Sequence, residues 1–239
     1  MLIVYRFLIN LVFILSPIIF VIRFLKKKED TQRFIEKIGF FNKKKVNGKL
    51  VWFHGASVGE LQSIVPLLEK LERNKSIKQI LITSNTLSSS KVINNNDFKK
   101  VVHQFFPIDT NFLIKKFLNH WKPSKAIFID SEFWPNTIIN LKKKNIPIIL
   151  LNGRITKKTF NRWNIFSNFS KKLFENFELC LASSKESFKL LKKLNFKNVK
   201  FIGNLKYSQA ETENLYLNQK LNNFILTNNS WCASSTHNT

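Results

Sequence analysis

The sequence predicts an α/β protein in which a doubly wound parallel sheet follows an N-terminal membrane anchor. From Lys49 onward, short apolar stretches alternate with amphipathic ones, and turn residues bound each apolar stretch. Such alternation implies right-handed βαβ units and a parallel sheet. Strands buried on both faces of a sheet are apolar throughout, as these stretches are. The 239 residues are also enough to bury a sizeable core.

The first 25 residues predict the membrane anchor. Leu2–Phe24 is almost continuously apolar and is followed by Lys26–Lys28. The length is near the ~20 residues needed to cross a bilayer, and the small-residue cleavage site of a secretory signal is missing. Lysines directly after the segment favour a cytoplasmic location for the rest of the chain. Because Arg6 and Arg23 can snorkel, a single span and an in-plane anchor both remain open.

Residues 26–48 predict a basic connection between the anchor and the sheet. Glu29–Phe41 reads as a short polar helix, and Asn42–Gly48 reads as a basic linker.

Residues 49–207 predict one Rossmann-like lobe. Its expected strands are Leu50–His54, Gln79–Thr83, Val101–Phe106, Ala126–Asp130, Ile146–Leu151, Leu179–Ser183 and Val199–Ile202. Helical spacing is found in Val58–Leu71, Asn111–Trp121, Thr137–Lys144 and Lys185–Leu194. Residues 208–239 predict a polar connector with one helix, followed by the start of another strand and turn.

The formal net charge of +24 favours a partner rich in phosphate or carboxylate, or an anionic membrane surface. A genome-wide nucleotide bias toward Lys, Asn, Ile and Phe explains the charge equally well, and much of the lysine then forms a solvated face. No RNA-binding aromatic motif or recognition helix accompanies the charge, so nucleic acid is not expected as a partner.

The cysteines and histidines predict neither a metal site nor a disulfide framework. Cys180 lies in an apolar run and is expected to be a small core residue, and Cys232 has no partner at metal-ligand spacing. This usage suits a reducing compartment. The histidines other than His54 are scattered along the chain, so no metal site is expected.

Polar groups follow several of the predicted strands. Because the carboxyl ends of parallel strands share one edge of the sheet, where open α/β sheets bind ligands, Glu60, Glu132 and Lys206 are expected to converge in one crevice. The segments that carry these groups are Gly55–Glu60, Asp130–Asn136 and Gly203–Tyr207.

This convergence predicts general-base chemistry. A carboxylate near a substrate hydroxyl can take its proton as the oxygen attacks, and a second carboxylate nearby raises the pKa of one of the pair. The helix dipole beside Glu60 and the charge of Lys206 act in the opposite direction, and the sequence leaves the balance open. Lys206 and the backbone amides of Ser57–Gly59 favour an anionic group in the same crevice.

Each of these residues also fits a simpler role. Glu60 fits a first-turn carboxylate paired with the helix dipole, Glu132 a capping residue, and Lys206 one of many surface lysines. His54 at a strand end fits a hydrogen-bonded structural histidine. Ser57 with His54 does not make a nucleophilic triad, because an ordering acid and the usual elbow are missing.

Four motifs in order resemble one enzyme family along essentially the whole chain. The motifs are His54–Glu60 (HGASVGE), Ser131–Asn136 (SEFWPN), Asn152–Ile155 (NGRI) and Gly203–Lys206 (GNLK). Together they resemble the 3-deoxy-D-manno-octulosonic acid (Kdo) transferases of Gram-negative lipopolysaccharide assembly.

The resemblance implies a GT-B fold with an acceptor lobe and a nucleotide-sugar lobe. It implies inverting transfer of Kdo from CMP-Kdo to the lipid A precursor, lipid IVA, at the cytoplasmic face of the inner membrane, without a metal or cofactor. By motif position, Glu60 is the general base, and Glu132 and Lys206 support the transition state. The residues expected to bind substrate are His54, Ser57, Gly59, Asn136 and Arg154.

The sequence departs from the family pattern at two places. Ser88 stands where a glycine is expected, and Ala233–His237 resembles the start of the donor lobe, close to the last residue. We therefore expect the 239-residue polypeptide alone not to transfer Kdo from CMP-Kdo. The alternative function is a non-catalytic basic lobe that binds anionic lipid at a membrane surface.

Overall fold

The computed structural model describes residues 1–94, 97–209, 223–224 and 226–227. Seven strands form one parallel sheet, and all the predicted strands are confirmed with small shifts at their ends. The strands are β1 (Lys49–His54), β2 (Ile77–Ser84), β3 (Val101–Phe105), β4 (Lys125–Ile129), β5 (Ile148–Gly153), β6 (Leu179–Ala182) and β7 (Val199–Phe201).

The strand order is β3-β2-β1-β4-β5-β6-β7. The chain moves outward from β1 to β3 and then crosses back to pair β4 with the free side of β1, so that His54 lies beside Phe128. This reversal makes the doubly wound α/β sheet predicted from the sequence. It also creates a topological switch point between β1 and β4, where the loops after the two strands diverge and leave a crevice.

Helices surround the sheet in the described residues. They are α1 (Leu2–Leu25), α2 (Val58–Ser63), α3 (Val65–Glu72), α4 (Leu87–Asn94), α5 (Asn111–Trp121), α6 (Pro135–Lys143), α7 (Lys157–Ile165), α8 (Ser167–Phe174) and α9 (Lys185–Lys193). The expected helix Val58–Leu71 is therefore two helices. Pro66 explains the break, because its nitrogen cannot donate and its ring clashes with the preceding turn.

The expected polar helix Glu29–Phe41 is only a short 3-10 helix, Phe34–Ile38. Long-range contacts determine this segment. The Arg33 guanidinium donates to the His103 carbonyl at 3.1 Å, and Glu36 Oε2 accepts from the Phe105 backbone N–H at 2.7 Å. Gly39 ends the short helix with a φ of 92°, a conformation that glycine adopts readily.

The core has two layers, one on each face of the sheet. Successive side chains of β1 point into opposite layers: Trp52 packs in one cluster, and Val51 and Phe53 pack in the other. Cys180 is buried in the first cluster, as expected for a small core residue. The prediction for residues 210–239 falls, apart from four residues, outside the described part of the chain.

Asp109 joins α1 to the loops at the sheet edge. Its carboxylate is 1% exposed and follows β3. Oδ2 accepts from the Tyr5 hydroxyl at 2.7 Å and from the Asn136 backbone N–H at 2.9 Å, while Oδ1 accepts from the backbone N–H of Thr137 at 2.9 Å. Asp109 therefore satisfies free N–H groups in the first turn of α6 and fastens Tyr5 of α1 to the same point.

We predict that Asp109→Ala lowers the free energy of unfolding by about 3 kcal/mol or more, because it leaves several buried donors without an acceptor. Urea unfolding measures the change. Asp97→Ala, at an exposed position, is the matched control and should change stability by less than about 0.5 kcal/mol. Equal values for the two variants would contradict the structural role of Asp109.

Candidate active site

The segments after β1, β4, β5 and β7 meet at the carboxyl edge of the sheet. A methyl group built on Gly59 would lie 3.5 Å from Lys206 Nζ, so the segments that follow β1 and β7 lie close together. The negative charges of Glu132 and Asp130 both act on Glu60. The structure thus brings Glu60, Glu132 and Lys206 together, as the strand ends predicted.

Glu60 is buried in the first turn of α2, and both of its oxygens are held locally. Oε2 accepts from the Ala56 backbone N–H at 2.8 Å, and Oε1 accepts from the Ser57 hydroxyl at 2.7 Å. Ser57 Oγ in turn accepts from the Glu60 backbone N–H at 3.3 Å. The sequence Ser-x-x-Glu therefore forms a variant of the capping box, in which the glutamate reaches Ala56.

The pKa of Glu60 is raised above its ordinary value. Burial is the largest cause, and the charges of Glu132 and Asp130 act in the same direction. The hydrogen bonds from Ser57 and Ala56 lower the pKa but do not offset these effects. The sequence left open whether the pKa of Glu60 is raised or lowered. In the structure it is raised, so Glu60 takes up a proton more readily than an ordinary glutamate.

Glu132 has the opposite shift. Burial tends to raise its pKa, but hydrogen bonding and charge from His54 together with the hydrogen bond from Trp134 lower it below the ordinary value. The Trp134 indole N–H donates to Glu132 Oε2 at 2.8 Å, and His54 Nε2 lies 3.3 Å from the same oxygen. These contacts hold Glu132 beside His54, and the N-terminus of α6 is capped by Asp109 instead.

Thr83 orients the His54 ring through a hydrogen bond to Nδ1, on the side of the ring away from Glu132. The Trp52 indole N–H donates to Thr83 Oγ1 at 2.8 Å, and Thr83 Oγ1 lies 2.9 Å from His54 Nδ1. On the other side of the ring, His54 Nε2 lies 3.3 Å from Glu132 Oε2 and 3.0 Å from the Trp134 indole nitrogen. His54 has no exposed surface, so its proposed role in substrate binding stays a prediction, and its observed role is to hold Glu132.

Asp130 and Asn152 belong to the site but were not among the predicted residues. Asn152 Nδ2 donates to Asp130 Oδ1 at 2.6 Å, and Asn152 Oδ1 accepts from the Leu205 backbone N–H at 3.0 Å. One amide therefore ties together the ends of β4, β5 and β7 and positions Lys206. Both residues have positive φ, 58° and 55°. The sequence signal that could have identified both residues is an Asp or Asn at the end of a buried strand, because these residue types tolerate a positive φ.

Of the remaining predicted residues, Lys206 and Arg154 lie near the crevice and Asn136 does not. Lys206 and Arg154 are exposed, and the positive charges of both act on Asp130. Asn136 is fully buried beneath α1: its Nδ2 donates to the Asp109 carbonyl at 2.6 Å and its Oδ1 accepts from Arg6 Nε at 2.9 Å. The structure does not bring Asn136 to the crevice, and its binding role stays a prediction.

We predict that the side-chain carboxyl of Glu60 titrates above the ordinary glutamate range and that of Glu132 below it. Glu132→Gln removes one negative charge beside Glu60, so the midpoint of Glu60 should fall while burial keeps it above normal. Carboxyl carbon NMR of the chain measures both midpoints. The control, Glu69→Gln on an exposed face of α3, should leave Glu60 unchanged. A Glu60 midpoint insensitive to Glu132→Gln would contradict the coupling.

A solved structure supports the fold. A UDP-N-acetylglucosamine 2-epimerase matches with a TM-score of 0.52 at 14% identity, covering 74% of this chain and 54% of the epimerase. At that identity the likeness shows the fold alone, a GT-B-like α/β architecture.

Sequence relatives identify the family. A family model described as 3-deoxy-D-manno-octulosonic-acid transferase (kdotransferase) matches residues 32–209. The chain is 35% identical over 211 residues to the 3-deoxy-D-manno-octulosonic acid transferase of Rickettsia bellii, covering 87% of this chain and 50% of that protein. It is 27% identical over 221 residues to the Haemophilus influenzae transferase, covering 90% and 51%. The chain spans about half the length of these relatives, and it belongs to the 3-deoxy-D-manno-octulosonic acid transferase family of glycosyltransferases.

Proposed function

We propose that this chain carries the acceptor lobe of an enzyme that transfers Kdo from CMP-Kdo to lipid IVA, with Glu60 as the general base. The observation that carries the proposal is the buried Glu60 carboxylate at the switch point, held by the Ala56 backbone N–H and the Ser57 hydroxyl. Burial and the charge of Glu132 raise the pKa of Glu60, while that of Glu132 is lowered, a separation that suits Glu60 to accept a proton. The family membership supplies the reaction class.

In the proposed step, an acceptor hydroxyl oxygen attacks the anomeric carbon of Kdo with inversion. The bond from that carbon to the phosphate oxygen of CMP breaks, CMP leaves, and the hydroxyl proton passes to Glu60. The hydrogen bonds from Ala56 and Ser57 use one lone pair on each Glu60 oxygen. A second lone pair on each oxygen is then available for the proton, and the carboxylate is held still while it receives it.

Glu132 and Lys206 support this step in different ways. Glu132, kept ionised by His54 and Trp134, raises the pKa of Glu60 and so makes it a stronger base. The exposed ammonium of Lys206 stands beside Gly59, where it can attract the carboxylate of Kdo or the phosphate of CMP. Arg154 and the general excess of Lys and Arg would favour the phosphates of lipid IVA.

We also propose that α1 anchors the lobe in the plane of the inner membrane, on the cytoplasmic side. In the described residues α1 is the one helix long and apolar enough to cross a bilayer. However, it is fastened to the lobe near both ends. Tyr5 donates to Asp109, and Arg23 is paired with Glu29 at 2.7 Å. Glu29 in turn accepts from Lys37, whose ammonium also donates to the Asn85 carbonyl of the lobe at 3.1 Å. Tyr5 and Arg23 are about 27 Å apart along the helix, so crossing the bilayer in this arrangement would carry the polar lobe into it.

The two faces of α1 differ as an in-plane anchor requires. Its outer face exposes large apolar side chains, for example Phe7 at 68% and Ile14 at 70%, while Ser16 and Phe20 are buried against the lobe. Lys26–Lys28 follow directly and would meet anionic headgroups.

We predict that Glu60→Gln lowers Kdo transfer by the full-length gene product by 10²- to 10⁴-fold, the usual contribution of a general base. Binding of lipid IVA should be retained, because the amide keeps the shape of the side chain. The control is Glu69→Gln, which should transfer at the normal rate. Unchanged transfer in Glu60→Gln would overturn the base assignment. Lipid binding without any transfer by the unmodified protein would favour the non-catalytic lipid-binding lobe.

We predict that a protease-sensitive tag placed before Met1 is cleaved from the same side of a sealed vesicle as the lobe. An in-plane helix keeps both of its ends on that side. The measurement is tag cleavage after protein is bound to preformed anionic vesicles, with a detergent-opened sample as the control for full cleavage. Protection of the tag until detergent is added would show that α1 spans the bilayer.

A further inference from the structure

A cavity of about 250 Å³ lies between α1 and the loops at the carboxyl edge of the sheet. One wall is a helical stripe of α1 that includes Ile9, Val12 and Ser16. The opposite wall is the segment Phe106–Asp109 after β3, together with Trp134 after β4. The cavity therefore opens at the same edge of the sheet as Glu60, and on the side of the lobe that α1 covers.

We propose that this cavity holds a fatty acyl chain of the lipid acceptor, an inference that rests on the proposed function. The lining is mainly apolar. Apolar protein cavities of about 150 Å³ stay dry and accept benzene. The larger space beside α1 thus suits a segment of hydrocarbon chain along its apolar walls.

The position of α1 gives an acyl chain a route from the bilayer. The outer face of α1 is apolar and the cavity lies along its inner face, so a chain can pass around the helix with little exposure to water. The far end of the cavity is closed by Glu29, which accepts from Lys37 Nζ at 2.7 Å and from Arg23 Nε at 2.7 Å. Arg23 and Lys37 are both already paired with Glu29, so we expect the headgroup at the opposite end of the cavity, beside Trp134.

Trp134 connects the cavity to the crevice. The same indole that lines the cavity donates its N–H to Glu132 Oε2 and lies 3.0 Å from His54 Nε2. An acyl chain packed on this ring would therefore fix the lipid next to the carboxylate pair. We expect the site to distinguish an acylated acceptor from its deacylated sugar through this contact.

Brominated acyl chains test the proposal, since bromine quenches the fluorescence of a tryptophan that it contacts. The probe is a bisphosphorylated disaccharide lipid with brominated chains, added to the full chain in detergent micelles. We expect saturable quenching that is lost in Trp134→Phe. Val12→Phe narrows the cavity and should weaken the apparent affinity at least tenfold. The matched control Val21→Phe, at an exposed position outside the cavity, should not.

Four outcomes would overturn the proposal. Equal affinities for Val12→Phe and Val21→Phe would show that the chain does not enter the cavity. Equal quenching by a brominated phospholipid at the same concentration would show that the cavity takes any membrane lipid. If calorimetry showed equal binding of the deacylated disaccharide and of the lipid, the proposed function would survive and the acyl site would not. If neither bound, both proposals would fall.

Discussion

The parallel pairing of β1 with β4 is the constraint on which the rest of the site depends. It places His54 next to Phe128, so the two strands end side by side while their loops turn away from each other. Glu60 and Glu132 follow those two strands, and each can influence the other only because the strands are neighbours. The residues that adjust the pair, Thr83 on β2 and Asn152 on β5, occupy the next strands outward. The electrostatics of the crevice are therefore a consequence of strand order.

The strands were predictable because a strand that is buried on both faces of the sheet needs a continuous run of apolar residues. Such runs are easy to recognise even in a lysine-rich sequence. Helix limits were less predictable. The apolar spacing of Val58–Leu71 continues through Pro66, yet the backbone cannot, so one periodic stretch gives two helices. In Glu29–Phe41, local helix preference is outweighed by hydrogen bonds to β3, whose residues are about 70 positions away in sequence.

Glu60, Glu132 and Lys206 could be placed together from the sequence because each follows a strand. Their supporting residues could not, since a carboxylate or amide reveals its partner only after the sheet is assembled. Asp109 illustrates this: it caps α6 across 27 residues of sequence, where the local pattern had suggested Glu132 for that role. Burial in this position raises the pKa of Asp109 to about 6, with hydrogen bonds from Thr137 and Tyr5 opposing the rise.

The hydrogen bond from Tyr5 to Asp109 links α1 to the crevice. A carboxylate as buried as Asp109 remains ionised at neutral pH only with enough donors, and one donor is the Tyr5 hydroxyl of α1. Undocking α1 would remove this donor and would also free Asn136 from Arg6. The docked position of α1 is thus favoured by polar contacts as well as by apolar packing. Those contacts end on the first turn of α6, directly after Trp134, so α1 and the loop that carries Glu132 are held by the same buried carboxylate.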